Sequence, residues 1–185
     1  MRIVKLVTLF LGIIALGLIV TGLLLPSSVH VERRILIQAE PELIFPHLNN
    51  LRAFNRWSPW AQKDPQTHFN FTGPEQGVGA QMTWYSEQPQ VGGGSQEIIA
   101  SVPNQRVAVA LSFGDTSTAI AYYDLQRIDG QTEVTWGFDS DFGYDLFSRY
   151  FGLMADQWIG PDYEQGLNNL KTLVESNTAS TSMSR

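Results

Sequence analysis

Twenty consecutive residues, Leu6 to Leu25, carry no charge and are nearly all apolar. At about 1.5 Å rise per residue, a helix of that length matches the ~30 Å hydrocarbon core of a bilayer. A helix apolar on every side cannot lie on the surface of a water-soluble domain, so the chain divides into an apolar leader and a remainder that must fold without it. Two readings of the leader compete. A cleaved signal peptide has an apolar stretch of roughly 7 to 15 residues and a small-residue cleavage site. Here the run is longer and ends in Leu23-Leu24-Leu25-Pro26-Ser27-Ser28, with no Ala-x-Ala signature. Those departures favour an uncleaved, single-pass anchor over residues 1–27. Arg2 and Lys5 lie on one flank, while Arg33 and Arg34 lie beyond the other and are offset in part by Glu32. Counting positive charges puts the N-terminus in the cytoplasm and the following domain in the periplasm or outside. Gly17 and Thr21 form a small-xxx-small pair able to pack against another helix, as in dimerisation, and a membrane-protein partner is a separate reading.

Beyond the anchor, residues 28–185 hold 10 basic and 18 acidic side chains, a net charge of -8. That balance argues against nucleic acid as a partner. The chain has no cysteine, which removes disulfide scaffolds, Cys-containing zinc sites, Fe–S clusters and thiol nucleophiles together.

Val29, Val31, Ile35, Ile37 and Ala39 alternate with polar residues, the period of a half-buried strand, with Arg33 as the exception on the apolar face. Pro41 and its flanking carboxylates suit a helix start, and Leu43, Ile44, Phe45, Leu48 and Leu51 follow helical spacing. Pro46 is expected to interrupt that helix early, and Trp57-Ser58-Pro59-Trp60 to end a second short helix or turn. Six alternating runs follow, at 68–72, 78–85, 95–102, 106–113, 118–128 and 133–139. Their connectors are Gly73-Pro74, Gly92-Gly93-Gly94, Pro103-Asn104, Gly114-Asp115 and Asp129-Gly130, which predicts consecutive hairpins in an antiparallel meander. From Phe147 the period is helical again, with Gly160-Pro161 expected to kink or split a long terminal helix. The Ser/Thr-rich stretch 177–185 reads as a disordered tail, leaving 28–176 as the folded domain.

Strand, two short helices, six antiparallel strands and a long C-terminal helix resembles the α+β helix-grip fold of the START-like superfamily, also called SRPBCC. Within it, the chain is most similar to the polyketide cyclase/dehydrase and lipid-transport branch. The resemblance is carried by Ala39-Glu40-Pro41-Glu42-Leu43-Ile44-Phe45, by Phe54 through Trp60, by Gly77-Val78-Gly79-Ala80 followed by Trp84, and by Gly160 through Leu167 with Leu170-Lys171. It spans residues 29–175 and implies a seven-stranded curved sheet gripping the terminal helix. It does not fix an activity, because sites are grafted on folds and this superfamily hosts carriers, cyclases, oxygenase subunits and regulators.

A sheet curled around a helix leaves a gap that side chains either fill or line. Trp84, Phe113, Tyr123, Trp136 and Phe138 fall on the concave face by alternation, and Met154 and Trp158 on the inner side of the terminal helix. They line a pocket for an apolar ligand on one reading and fill a core on the other. Trp57 and Trp60, where the short helices meet the sheet, are either a gate at the cavity mouth or a plug. Tyr122, Tyr123 and Asp124 are the plausible polar anchors. Catalytic signatures are thin. There is no Gly-x-Ser-x-Gly elbow, His30, His47 and His68 lack metal-binding spacing, and the glycine clusters lead into strands rather than opening helices. His47 is the histidine nearest the expected lid. No metal or cofactor is therefore expected. Three functions remain open: a membrane-anchored domain that binds or shuttles a hydrophobic small molecule such as a lipid, quinone or polyketide-like compound; an aromatase/cyclase-type enzyme using one acid or base; and a protein-interaction module of a membrane complex.

Overall fold

The computed structural model describes the backbone of residues 1–114 and 117–183 and the side chains of all of these except 117 and 178–183. Helix α1 (Arg2–Leu24) is followed by strand β1 (Ser28–Ile37). Three short helices, α2 (Pro41–Leu48), α3 (Leu51–Phe54) and α4 (Pro59–Lys63), come next. The meander follows as β2 (His68–Thr72), β3 (Gln81–Tyr85), β4 (Gly93–Val102), β5 (Arg106–Phe113), β6 (Ser117–Ile128) and β7 (Gln131–Asp141). Helices α5 (Leu146–Gly152) and α6 (Ala155–Met183) close the chain.

All neighbouring strands are antiparallel, in the order β1-β7-β6-β5-β4-β3-β2. The first strand therefore pairs with the last. Asp129-Gly130 closes the β6–β7 hairpin with both residues at positive φ, 49° and 81°, while Ile128 faces Gln131 across it. That geometry needs a residue pair that tolerates left-handed backbone, which Asp-Gly supplies. The β5–β6 turn at Gly114-Asp115 lies partly outside the described residues. The stretch read as a disordered tail, 177–185, instead continues the backbone of α6 as far as Met183, and residues 184 and 185 lie outside the described residues.

Three local expectations are corrected. Pro46 stays inside α2, which runs to Leu48 and buries Ile44 and Leu48 in the core, so packing outweighs the one lost hydrogen bond. Trp57-Ser58 links α3 to α4, and Pro59 opens α4 at the first-turn position where its missing N–H costs nothing. The terminal helix breaks at Leu153-Met154 rather than at Gly160-Pro161, which lie within α6.

What Gly160 provides instead is room. A Cβ there would collide with the Arg33 guanidinium. Arg33, the charge on the apolar face of β1, reaches under α6, where Nη1 donates to Asp156 at 2.8 Å and Nε to Glu164 at 2.7 Å. The break in alternation is thus a clamp that fixes α6 to β1. The core between sheet and helix contains Ile37, Ile44, Leu48, Val107, Val134, Leu167, Leu170 and Val174.

Helix α1 is fastened to the domain at its C-terminal end. Arg149 of α5 is 8% exposed and donates through Nη1 to the carbonyls of Gly22, Leu23 and Leu25 at 3.3, 3.1 and 3.2 Å. Helix ends leave such carbonyls without intrahelical partners, and one guanidinium serves three of them. The Tyr150 hydroxyl donates to the Leu18 carbonyl at 2.6 Å, and its ring lies against Gly22.

Candidate functional site

The space between the sheet and α6 is filled in one half and hollow in the other. An aromatic cluster supplies the filling. Trp57 is fully buried and meets Phe54, Trp136 and Tyr123 edge-on, at centroid distances of 4.9, 5.2 and 5.9 Å. Its Nε1 donates to the His47 carbonyl at 3.1 Å. Trp136 stacks on Tyr163 at 3.9 Å and 13°. Gly166 makes this packing possible, because a Cβ there would stand 2.6 Å from the Trp136 ring.

Toward the other end of the sheet the side chains part around a half-open cavity of about 370 Å³. Trp60, Trp84, Phe113, Phe138 and Trp158 line it, so five of the nine residues expected at the site do so. Trp57, Tyr123 and Trp136 belong to the packed cluster instead, and Met154 lies in the exposed turn before α6. Alternation assigns a residue to a face of the sheet but not to a depth along it, and depth separates these two groups. The rim is marked by Phe113 at 43% and Trp158 at 50% exposure. Trp84 is laid flat across Gly94, whose absent Cβ would sit 2.6 Å from the indole ring, and its Nε1 donates to the Val91 carbonyl at 3.3 Å.

The β3–β4 loop that carries the lining residues Gln90 and Val91 is fastened by Asp64. The Ser86 hydroxyl donates to Asp64 Oδ2 at 2.6 Å, and that bond, with the Gln66 N–H, holds the Asp64 carboxyl below its usual range. Sequence reasoning missed the lining residues Phe54, Asn55, Phe69, Met82, Gln96, Leu111, Ile159 and Tyr163. Phe69, Met82 and Leu111 share the concave alternation of their strands and were legible by that signal.

The polar anchors are not the expected ones. Tyr122 lies on the opposite face of the sheet, where its hydroxyl donates to Glu32 at 3.0 Å and Arg106 covers its ring at 4.6 Å. Asp124 is paired with Arg106 at 2.7 Å. Inside the cavity the carboxamides of Asn55 and Gln96 converge on the Met82 sulfur, at 3.4 and 3.9 Å. Sulfur is a weak acceptor, so both amides retain hydrogen-bonding capacity for a ligand. Gln96 is only 8% exposed, which makes it the more consequential of the two.

Asp162 and Tyr163 are the titratable lining residues. Asp162 takes Lys63 Nζ at 2.6 and 2.7 Å, and burial pushes the Tyr163 phenol well above its ordinary value. None of the three histidines lines the cavity. His47, the histidine nearest the expected lid, is half-buried in α2, and burial, reinforced by the Arg56 charge, holds its imidazole below the usual value of 6.5. Protonation of His47 therefore favours the unfolded chain. Its stabilising contribution is complete above pH 6.5 and is lost as pH falls through the lowered value. Denaturation followed across that range is expected to show stability falling with acidification, with a shallower fall in His47→Gln.

A family model described as polyketide cyclase/dehydrase and lipid transport matches residues 28–175. No curated protein matches the chain. Among solved structures, a Staphylococcus aureus protein of unknown function superposes with a TM-score of 0.62 at 12% identity, over 82% of this chain and 96% of that one. An Arthrobacter aurescens protein gives 0.58 at 11% identity, over 80% and 87%. Ms6760 from Mycobacterium smegmatis gives 0.56 at 14% identity, over 80% and 92%. At such identities these likenesses establish the fold alone. The seven-stranded grip around α6 and the match across almost the entire region after α1 lead to one conclusion: the chain belongs to the polyketide cyclase/dehydrase and lipid-transport family of SRPBCC domains.

Proposed function

We propose that this protein is a membrane-anchored SRPBCC domain, anchor 1–27 and domain 28–176, that binds and shuttles a hydrophobic small molecule in the cavity between β3–β7 and α6. The observation that carries this reading is the cavity itself, lined by Trp60, Trp84, Phe113, Phe138 and Trp158 with two carboxamides at its inner wall. Sequestering ~300 Å² of ligand surface at ~25 cal/mol per Å² contributes roughly 7 kcal/mol before association costs, enough for a loose carrier. A carbonyl or hydroxyl on the ligand would meet Gln96 and Asn55, so lipids, quinones and polyketide-like compounds that carry one oxygenated end fit better than plain hydrocarbons. No lining residue offers a free acid or base for cyclase chemistry, which is the reason to prefer a carrier over an enzyme.

The test is displacement of a cavity-bound environment-sensitive dye from the full chain by fatty acids, quinones and sterols. Displacement by oxygenated apolar compounds is expected, and Gln96→Leu is expected to weaken it while leaving alkane displacement unchanged. A dye that never enters would favour the interaction-module reading.

Helix α1 is long and apolar enough to be a membrane span, a test that a signal sequence also passes. Its retention is supported by the donors that Arg149 and Tyr150 direct at its carbonyls, which cleavage would strand. The mature protein is expected to retain α1 and to fractionate with membranes. N-terminal sequencing that starts near Ser27 would contradict this.

A further inference from the structure

An exposed apolar cluster outside α1 surrounds α5. Phe147 is 71% exposed, Leu153 59%, Trp158 50% and Phe151 45%. The three aromatic rings form a continuous row, with Phe147 to Phe151 at 4.5 Å and Phe151 to Trp158 at 5.6 Å between ring centroids. Such a patch marks a surface that meets something other than water. The row ends at the cavity, because Trp158 is also a lining residue.

Its place relative to α1 identifies the occupant. The Tyr150 hydroxyl bonds the Leu18 carbonyl, and Leu18 lies seven residues before Leu25. At 1.5 Å per residue that carbonyl is about 10 Å along the axis from the helix end. A spanning helix of 23 residues is about 34 Å long, so Leu18 lies within the outer part of a ~30 Å hydrocarbon core. α5 is thereby held at the boundary between headgroups and acyl chains, the level that Tyr and Trp side chains favour.

The strand register puts the cavity at the same end. Ser28, which follows α1, faces Asp141, and Ile120 faces Asp139. Ser112 faces both Thr118 and Ser95, and Gly94 faces Trp84. The sheet end that carries Trp84 and Phe113 is therefore the membrane-side end. Asp145 and Asp156 flank the row, so its attraction is to an apolar interior rather than to anionic headgroups.

We infer that α5 and the segment from Leu153 to Trp158 lie in the interface of the bilayer that α1 spans, and that Phe147, Phe151 and Trp158 form a portal between the acyl chains and the cavity. This rests on α1 being a membrane span. A ligand entering by this route need not cross water.

The chain has no cysteine, so single spin labels can be placed in the full protein in phosphatidylcholine nanodiscs at Ile13→Cys, Phe147→Cys and Val102→Cys. The label at Ile13→Cys reports whether α1 spans. The expected result is that labels at Ile13→Cys and Phe147→Cys relax with oxygen and are shielded from an aqueous nickel chelate, whereas the label at Val102→Cys shows the reverse. A buried Ile13→Cys label with a Phe147→Cys label as chelate-accessible as Val102→Cys would overturn the interfacial placement alone. A chelate-accessible Ile13→Cys label would overturn the anchor as well. For the portal, transfer of an NBD-labelled fatty acid from phosphatidylcholine vesicles is expected to slow on the order of tenfold in Phe147→Ser/Phe151→Ser, with equilibrium occupancy unchanged. Phe147→Ser alone, which alters a largely exposed side chain, is expected to give a smaller slowing. Unchanged rates in both variants would overturn the portal.

Discussion

Replacing Trp57 by alanine is expected to cost about 3 to 5 kcal/mol of stability, the loss typical of a large aromatic removed from a close-packed core. The side chain is fully buried, three rings meet its faces and edges, and its indole N–H satisfies the His47 carbonyl across the α2–α3 bend. Deleting it empties the centre of the aromatic cluster and leaves that carbonyl short of a donor. Trp60→Ala is expected to behave differently. Trp60 is half-buried, touches Trp136 and Tyr163 by its edge at 5.9 and 6.3 Å, and turns its remaining surface to the cavity. A cost of about 1 to 2 kcal/mol is expected there, together with a larger change in dye uptake. Paired melts and uptake curves decide between the roles. Equal stability losses with unchanged uptake in both variants would make Trp60 a second plug.

Leu111→Trp is expected to abolish ligand uptake while leaving the fold intact. Leu111 lines the cavity from the middle of the sheet, directly opposite Gln96 across the β4–β5 pair. The indole extends into empty space rather than into packed neighbours, so the strain that normally accompanies an enlarged core residue is small. An apolar-for-apolar exchange on a concave strand position also preserves the alternation that holds β5 in register. Circular dichroism and melting near those of the unaltered protein, with no dye signal, are the expected pair of results. Full uptake in Leu111→Trp would place the ligand elsewhere.

The parts of the molecule legible in the sequence are those set by local periodicity and turn chemistry. β2 and β5 occupy 68–72 and 106–113 as read from alternation, and Asp129-Gly130 closes its hairpin. What the sequence did not disclose depends on contacts between distant segments. Gly160-Pro161 reads as a helix break by propensity, yet Arg33, 127 residues earlier, occupies the space that Gly160 leaves and ties the helix across it through Asp156 and Glu164. Arg33 itself reads as an error in an apolar face until those two carboxylates are in view. Tyr122 and Asp124 looked like ligand anchors beside Tyr123, but neighbouring strand positions point alternately to opposite faces, and both belong to the convex side with Arg106. Gln96 carried no signal of its own. A polar residue in a strand reads as solvent-facing, and only its pairing with Met82 on one side and Leu111 on the other makes it an inner wall of the cavity.

The central claim is that the cavity holds an apolar small molecule. The most direct measurement is mass spectrometry of organic extracts from the full protein purified in mild detergent, compared with the same preparation of Leu111→Trp. The account predicts an oxygenated hydrophobic compound present near one per chain in the unaltered protein and absent from Leu111→Trp. No enrichment of any small molecule over a detergent blank, or the same compound at equal amount in both proteins, would contradict it.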